Sequence, residues 1–131
     1  MSTQITIIQG HPDPEGGHLC HALAQAYAEG AREAGHELRT VDVAKIQFPL
    51  LRSAHAWQHE PLPPALADAQ DAIRWGDHLV FFFPLWLGDM PALLKGCLGQ
   101  IAREGFAFAK SDDNPMGKKL LKGRTARVVV T

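Results

Sequence analysis

A chain of 131 residues with 46% hydrophobic and 21% charged residues reads as one globular domain, large enough to bury a core without staples. Its 13 basic and 14 acidic residues leave a formal net charge of −1, which excludes the electrostatic footprint of a nucleic-acid or anionic-membrane binder. The longest apolar stretch, residues 79–87, is too short to span a bilayer and the N-terminus has no basic signal region, so a cytoplasmic protein without membrane insertion is expected.

Gln4-Ile5-Thr6-Ile7-Ile8 is a β-branched run ending at Gly10, which predicts a buried strand followed by a turn. Residues 19–34 place Leu19, Leu23, Ala26, Tyr27, Ala31 and Ala34 at helical spacing, and Gly35 supplies the stop. Residues 37–43 form a second strand candidate carrying Leu38, Val41 and Val43. Residues 44–64 hold four prolines and no clean period, so a long excursion is expected. Leu66, Ala69 and Ile73 predict a helix over 64–75, with Trp75 in the core.

Leu79-Val80-Phe81-Phe82-Phe83 is apolar at every position, as a central parallel strand covered on both faces would be. Pro84 ends it, and Pro91 suits the first turn of a helix continued by Leu94, Cys97, Leu98 and Ile101. A turn-rich segment over 104–123 precedes a last strand at 126–130. Alternating strands and helices predict an α/β domain with a parallel sheet and helices on both faces. In such sheets ligands bind beyond the carboxyl ends of the strands. That rule selects the loops after Gln9 and Phe83.

In the first of these loops, Gly16 and Gly17 let backbone amides approach a ligand. The amino end of the next helix adds free donors and positive dipole, so phosphate is the expected guest, with His11 and His18 as further hydrogen-bonding groups. The loop matches neither the GxGxxG nor the GxxxxGK[ST] pattern. A plain strand–helix connection with Asp13 or His18 near the cap is the competing reading. In the second loop, Leu85, Trp86 and Leu87 are bulky apolar residues at the mouth of the sheet, where a flat hydrophobic ligand would lie. Amides around Leu87 and Gly88 suit the polar edge of such a ring. Alternatively, Trp86 and Leu87 pack under the 44–64 excursion or across a subunit boundary.

Four strings now carry a resemblance. Ile8-Gln9-Gly10-His11-Pro12-Asp13, Phe83-Pro84-Leu85-Trp86, Met90-Pro91-Ala92-Leu93-Leu94-Lys95-Gly96 and Gly105-Phe106-Ala107-Phe108 resemble the NAD(P)H:quinone oxidoreductase family, in order and over essentially the whole chain. That family includes DT-diaphorase, the bacterial modulators of drug activity and the ancillary oxidoreductases of potassium-efflux systems. The resemblance implies a flavodoxin-like three-layer sandwich with sheet order 2-1-3-4, its fifth strand missing here, and a homodimer with the site at the subunit boundary. It implies a non-covalent FAD, with FMN as the other choice, NAD(P)H as co-substrate and a quinone-like acceptor. It maps phosphate contacts onto His11, Gly16, Gly17, His18, Leu19 and Cys20, and the flavin ring onto Pro84, Leu85, Trp86, Leu87 and Gly88.

The chain also departs from the family. Gly16-Gly17-His18 stand where members often carry Ser-Phe-Asn, Leu87 replaces a second tryptophan, and Asp89 replaces a glycine. No side chain here is required as a general acid, so no catalytic residue is assigned. The last residues, Val128-Val129-Val130-Thr131, have core character, and a single domain over 1–131 truncated at its C-terminal side is expected.

The alternative is a non-catalytic or regulatory subunit acting through a partner such as a potassium-efflux system. A receiver-type signalling domain is set aside, because Gln9 and Pro84 stand where it needs acidic residues. His18 with His21, and His55 with His59, read as solvent-facing rather than as metal ligands. Cys20 and Cys97 read as packed thiols, and Lys118, Lys119, Lys122 and Arg124 as a solvated basic face.

Overall fold

The computed structural model describes residues 2–109 and 118–131. In chain order the elements are β1 (Gln4–Gln9), α1 (Leu19–Glu33), β2 (Glu37–Asp42), α2 (Ala54–His59), α3 (Ala67–Trp75), β3 (His78–Phe83) and α4 (Ala92–Ile101), followed by β4 (Phe108–Ala109), β5 (Lys118–Lys119) and β6 (Thr125–Val130). Short 3-10 turns occupy Val43–Lys45 and Pro64–Leu66. Four strands make one parallel sheet in the order β2-β1-β3-β6, while β4 and β5 form a separate antiparallel pair. The last strand therefore takes the place expected of the fourth, beside β3.

Pleating sends alternate residues of β1 and β3 into two cores. On one face Ile5, Ile7, Val80 and Phe82 meet α1; on the other Ile8, Phe83 and Val41 meet the residues of α3 and α4, among them Ile73, Leu94 and Ile101. The nearly continuous apolar runs of these two strands follow from burial on both sides, and Thr6, the polar residue within the β1 run, donates its hydroxyl to the Ala72 carbonyl.

Helix α1 corrects one expectation. Its buried stripe is Cys20, Ala24, Ala28 and Ala31, whereas Leu19 and Leu23 of the expected stripe face outward, Leu19 64% exposed. Small side chains let the helix axis lie close over β1 and β3, and the leucines are left at the surface near the first loop. Trp75 is likewise not a core residue. It is half-buried, with the Arg39 guanidinium 4.5 Å from its ring centroid.

The 44–64 excursion is tied down by hydrogen bonds at the carboxyl end of α4. Trp57 Nε1 donates to the Ala102 carbonyl at 3.0 Å, and Gln100 Nε2 donates to the Pro49 carbonyl at 2.7 Å. Buried Arg103 donates to the carbonyls of Gln100, Ala56 and Glu60 and to Gln100 Oε1. These contacts fasten α2 and the chain after it onto α4. Arg103→Met removes the donors and strands the carbonyls of Ala56 and Glu60, so a loss of about 2–4 kcal/mol is expected. Urea unfolding with an unchanged m-value checks it, and a loss below about 0.5 kcal/mol would contradict this account.

Candidate functional site

The loops after β1 and β3 meet at the carboxyl edge of the sheet. Gly10 donates its N–H to the Phe82 carbonyl at 2.7 Å, and the Trp86 and His11 rings stand nearly perpendicular with centroids 6.0 Å apart. The end of β6 braces the second loop, since Leu85 N–H donates to the Thr131 carbonyl at 3.0 Å and Thr131 N–H to that of Phe83 at 3.1 Å.

The first loop is organised by Gln9, a buried residue whose role the sequence reading missed. Its side-chain amide donates to the Cys20 carbonyl at 3.3 Å, while its Oε1 accepts from the His11 N–H and from the Cys20 thiol, both at 3.1 Å. Gln9 thus joins the end of β1 to the first turn of α1. The chain turns left-handed at Gly16 and Gly17, with φ of 76° and 83°, before His18 takes extended geometry as the cap of α1. The side chain of Cys20 faces the core, so within the expected phosphate site it offers only its main chain.

Three imidazoles gather at this helix end. The His11 and His18 rings stack with centroids 4.1 Å apart, and His21 lies 4.9 Å from His11 and 5.5 Å from His18. His11 is buried and accepts the Asp13 N–H at Nδ1, 3.0 Å away; His21 Nδ1 accepts the His18 N–H at 3.3 Å. Asp13 bonds His18 Nε2 at 2.7 Å and accepts the Glu15 N–H at 2.9 Å. Burial, then the neighbouring rings of His18 and His21, hold His11 below the ordinary histidine value against the opposing pull of Asp13. The His18 contact and the Glu15 N–H hold the Asp13 carboxyl below the usual carboxylate range.

In the second loop Pro84 is buried, and Leu85, Trp86 and Leu87 are exposed, Leu87 completely so at 107%. They do not pack under the 44–64 excursion. Trp86 and Asp89 exchange two backbone hydrogen bonds, of 2.9 and 3.1 Å, around Leu87 and Gly88. Both central residues have positive φ, 50° and 78°, as the type I′ turn requires. A leucine in that conformation is uncommon and costs about 1–2 kcal/mol. Asp89 turns its carboxylate back to accept the Met90 N–H at 2.7 Å.

All the site residues singled out from the sequence therefore lie at one edge of the sheet. The remaining candidates do not join them. Cys97 is buried, its thiol pushed up to about 11 by burial, and burial raises Cys20 as well. Arg124 is not a free surface cation, because it donates to the carbonyls of Gly76 and Arg74 at 3.1 and 2.7 Å. The side chains of Lys118 and Lys119 lie outside the described residues. His55 and His59 form their own ring pair on α2, with centroids 4.8 Å apart. Among the described residues no group of three or more His, Cys, Asp or Glu is set to hold a metal, and no helix is long and apolar enough to cross a membrane. A cleft of about 480 Å³ lined by Ile5, Tyr27, His36 and His78 opens at the amino ends of the strands, away from both loops.

Comparison with known proteins gives a consistent picture. The flavodoxin-like fold family matches residues 3–131. A ribosyldihydronicotinamide dehydrogenase-like protein (traD) of Penicillium crustosum is 29% identical over 98% of this chain and 57% of its own length. The human ribosyldihydronicotinamide dehydrogenase [quinone] is 34% identical over 58% of this chain and 32% of its own. A crystal structure from Klebsiella pneumoniae, described as a quinone reductase, superposes with a TM-score of 0.76 at 26% identity, covering 98% of this chain and 59% of that one. The matched stretches thus cover from 32% to 59% of the length of these relatives.

Proposed function

This chain belongs to the flavodoxin-like fold family, and from that premise we propose that it is the flavin-binding part of an NAD(P)H:quinone oxidoreductase, working as a homodimer in the cytoplasm. The observation that carries this reading is the apposition of two unlike loops. One ends in a helix N-terminus ringed by imidazoles; the other lifts Trp86 and Leu87 into solvent on a strained turn. The first suits a phosphate, the second a flat apolar ring, and both stand at the carboxyl edge of a parallel sheet.

The residues present fit FAD or FMN. His11 and the main chain of residues 16–20 would hold the phosphate portion. Pro84 to Gly88 would lie along the ring system, with the N–H groups of Leu87 and Gly88 available to its polar edge. Bound flavin supplies the hydride chemistry between NAD(P)H and a quinone-like acceptor. The chain's own part is to bind, orient and shield: Gln9 fixes the first loop, and the Trp86–Asp89 turn fixes the second. Because Asp89 spends its carboxylate on Met90 N–H, it bonds its own main chain. Exposed Leu19, Leu23 and Leu85 border this edge and would be covered by a second copy of the chain.

Adding FMN or FAD to the purified protein tests the reading. Quenched flavin fluorescence and a shifted visible spectrum are expected, followed by anaerobic bleaching with NADPH and reoxidation by menadione. A free-flavin spectrum at all protein concentrations would overturn the cofactor assignment. Flavin binding without bleaching would favour the non-catalytic subunit instead.

A further inference from the structure

We propose that the first loop takes the cofactor's phosphate together with protons, which His11, His18 and His21 accept, so that these imidazoles act as a pH-dependent plug of the phosphate site. The proposal rests on the flavin reading above and concerns how that same site is regulated.

Its basis is what the imidazoles do in the structure. Nδ1 of His11 accepts the N–H of Asp13, and Nδ1 of His21 accepts that of His18, the cap of α1. These are N–H groups of the anion-binding loop, and neutral side chains already occupy them. An imidazole protonated on both nitrogens has no lone pair left to accept with. Protonation therefore frees the two N–H groups for an incoming anion and turns their former acceptors into cations beside it. One event removes a competitor and adds charge.

The surrounding groups favour a neutral His11 ring until an anion arrives. Two neighbouring imidazoles lie within 5 Å of His11, so each added cation opposes the next. Asp13 is the carboxylate bonded within the cluster, to His18 Nε2, and the exposed Glu15 reaches it through a backbone N–H to Asp13. From β1 the facing group is neutral Gln9; from α1 it is the Cys20 thiol, raised by burial; from the second loop it is the edge of Trp86, with Asp89 bonded to Met90. The lowered value of His11 agrees with this arrangement.

The sign follows by linkage. With His11 below the ordinary value of about 6.5 in the free protein and raised by a bound dianion, binding takes up protons, and affinity climbs as pH falls from about 8 toward 6.5. A phosphomonoester remains about three-quarters dianionic at the lower limit, so its own titration masks little of the effect.

The experiment compares FMN with riboflavin, which lacks the phosphate, by fluorescence titration at about pH 8 and about pH 6.5. Calorimetry of FMN binding in two buffers of different ionisation heat counts protons. FMN affinity is expected to rise about three- to tenfold and to take up about one proton, while riboflavin affinity changes by less than about twofold. His18→Asn, which keeps a capping side chain, and His21→Gln should each flatten the FMN slope. An FMN affinity independent of pH, a riboflavin slope equal to that of FMN, binding without proton uptake, or an undiminished slope in both variants would overturn the proposal and leave the flavin reading intact. No binding of either flavin at either pH would overturn both. The calorimetry on the unaltered protein decides the matter even where a variant fails to fold.

Discussion

Gly10→Ala is expected to cost about 3 kcal/mol of stability, more than any other single methyl group added at this edge of the sheet. A Cβ built there would stand 2.6 Å from Leu94 Cδ2, 3.0 Å from the Phe82 carbonyl oxygen and 3.2 Å from Phe83 Cβ. None of the three can yield cheaply. Leu94 is fully buried in the core between α4 and the sheet, and the other two belong to the central strand β3. The Gly10 N–H is also bonded to that carbonyl, so the backbone cannot lift away without losing a hydrogen bond as well. Since Gly10 opens the first loop, relief of the clash moves His11 and its neighbours away from Trp86, and flavin affinity should fall together with stability. Gly30→Ala is the control. Nothing stands within 4 Å of its Cβ on the exposed side of α1, so a gain of about 0.5–1 kcal/mol is expected there. Urea midpoints of the two variants check both signs. A Gly10→Ala protein as stable as the parent would show that the β1–β3 junction is looser than the distances imply.

How much of this edge could be read from the amino acids depends on how local each cause is. The runs Ile5 to Ile8 and Leu79 to Phe83 announce buried central strands through composition alone, and the two strands indeed lie side by side with both faces covered. Helix α1 has two candidate stripes, one of leucines and one of small residues. Hydrophobicity favours the leucines, but close approach of helix to sheet favours Cys20, Ala24, Ala28 and Ala31, and only packing decides between them. The proline-rich excursion lacks a period because its order comes from bonds made far along the chain, such as Trp57 to Ala102 and Arg103 to Ala56. The histidine cluster is a similar case. His18 and His21 are visible as a helical pair, but His11 joins them only because Gly16 and Gly17 turn the loop back over the cap. Gln9, whose amide links β1, the loop and α1, carries no local signal for that role. In the second loop, exposure of Trp86 and Leu87 follows from a left-handed turn that a leucine seldom adopts, so their residue types pointed to contact with a ligand but left burial under the excursion open as the alternative.

That turn separates what the backbone does from what a side chain does. Gly88→Val places a β-branched residue at a φ of 78°, at a cost of about 2 kcal/mol or more to the turn. The turn is exposed, so opening it relieves the strain and most of the global stability survives. The N–H groups of Leu87 and position 88 lose their places in doing so, and flavin affinity should fall at least about tenfold below that of the unaltered protein, the equivalent of about 1.4 kcal/mol. Leu87→Asn has the opposite signature. Asparagine tolerates the left-handed region, so stability should rise by about 1 kcal/mol while the turn and its N–H groups stay in place. Only the fully exposed leucine side chain is lost, and partial cover of such a group by a ring is worth about 1 kcal/mol, or about fivefold in affinity. A loss in Gly88→Val much larger than in Leu87→Asn assigns the recognition to the turn's amides; equal losses assign it to apolar contact. Flavin affinity unchanged in Gly88→Val would place the ring elsewhere. The residue that disobeys local preference is then the informative one, because a strained leucine held wholly in solvent has no stabilising role in the free chain and gains one only when something flat covers it.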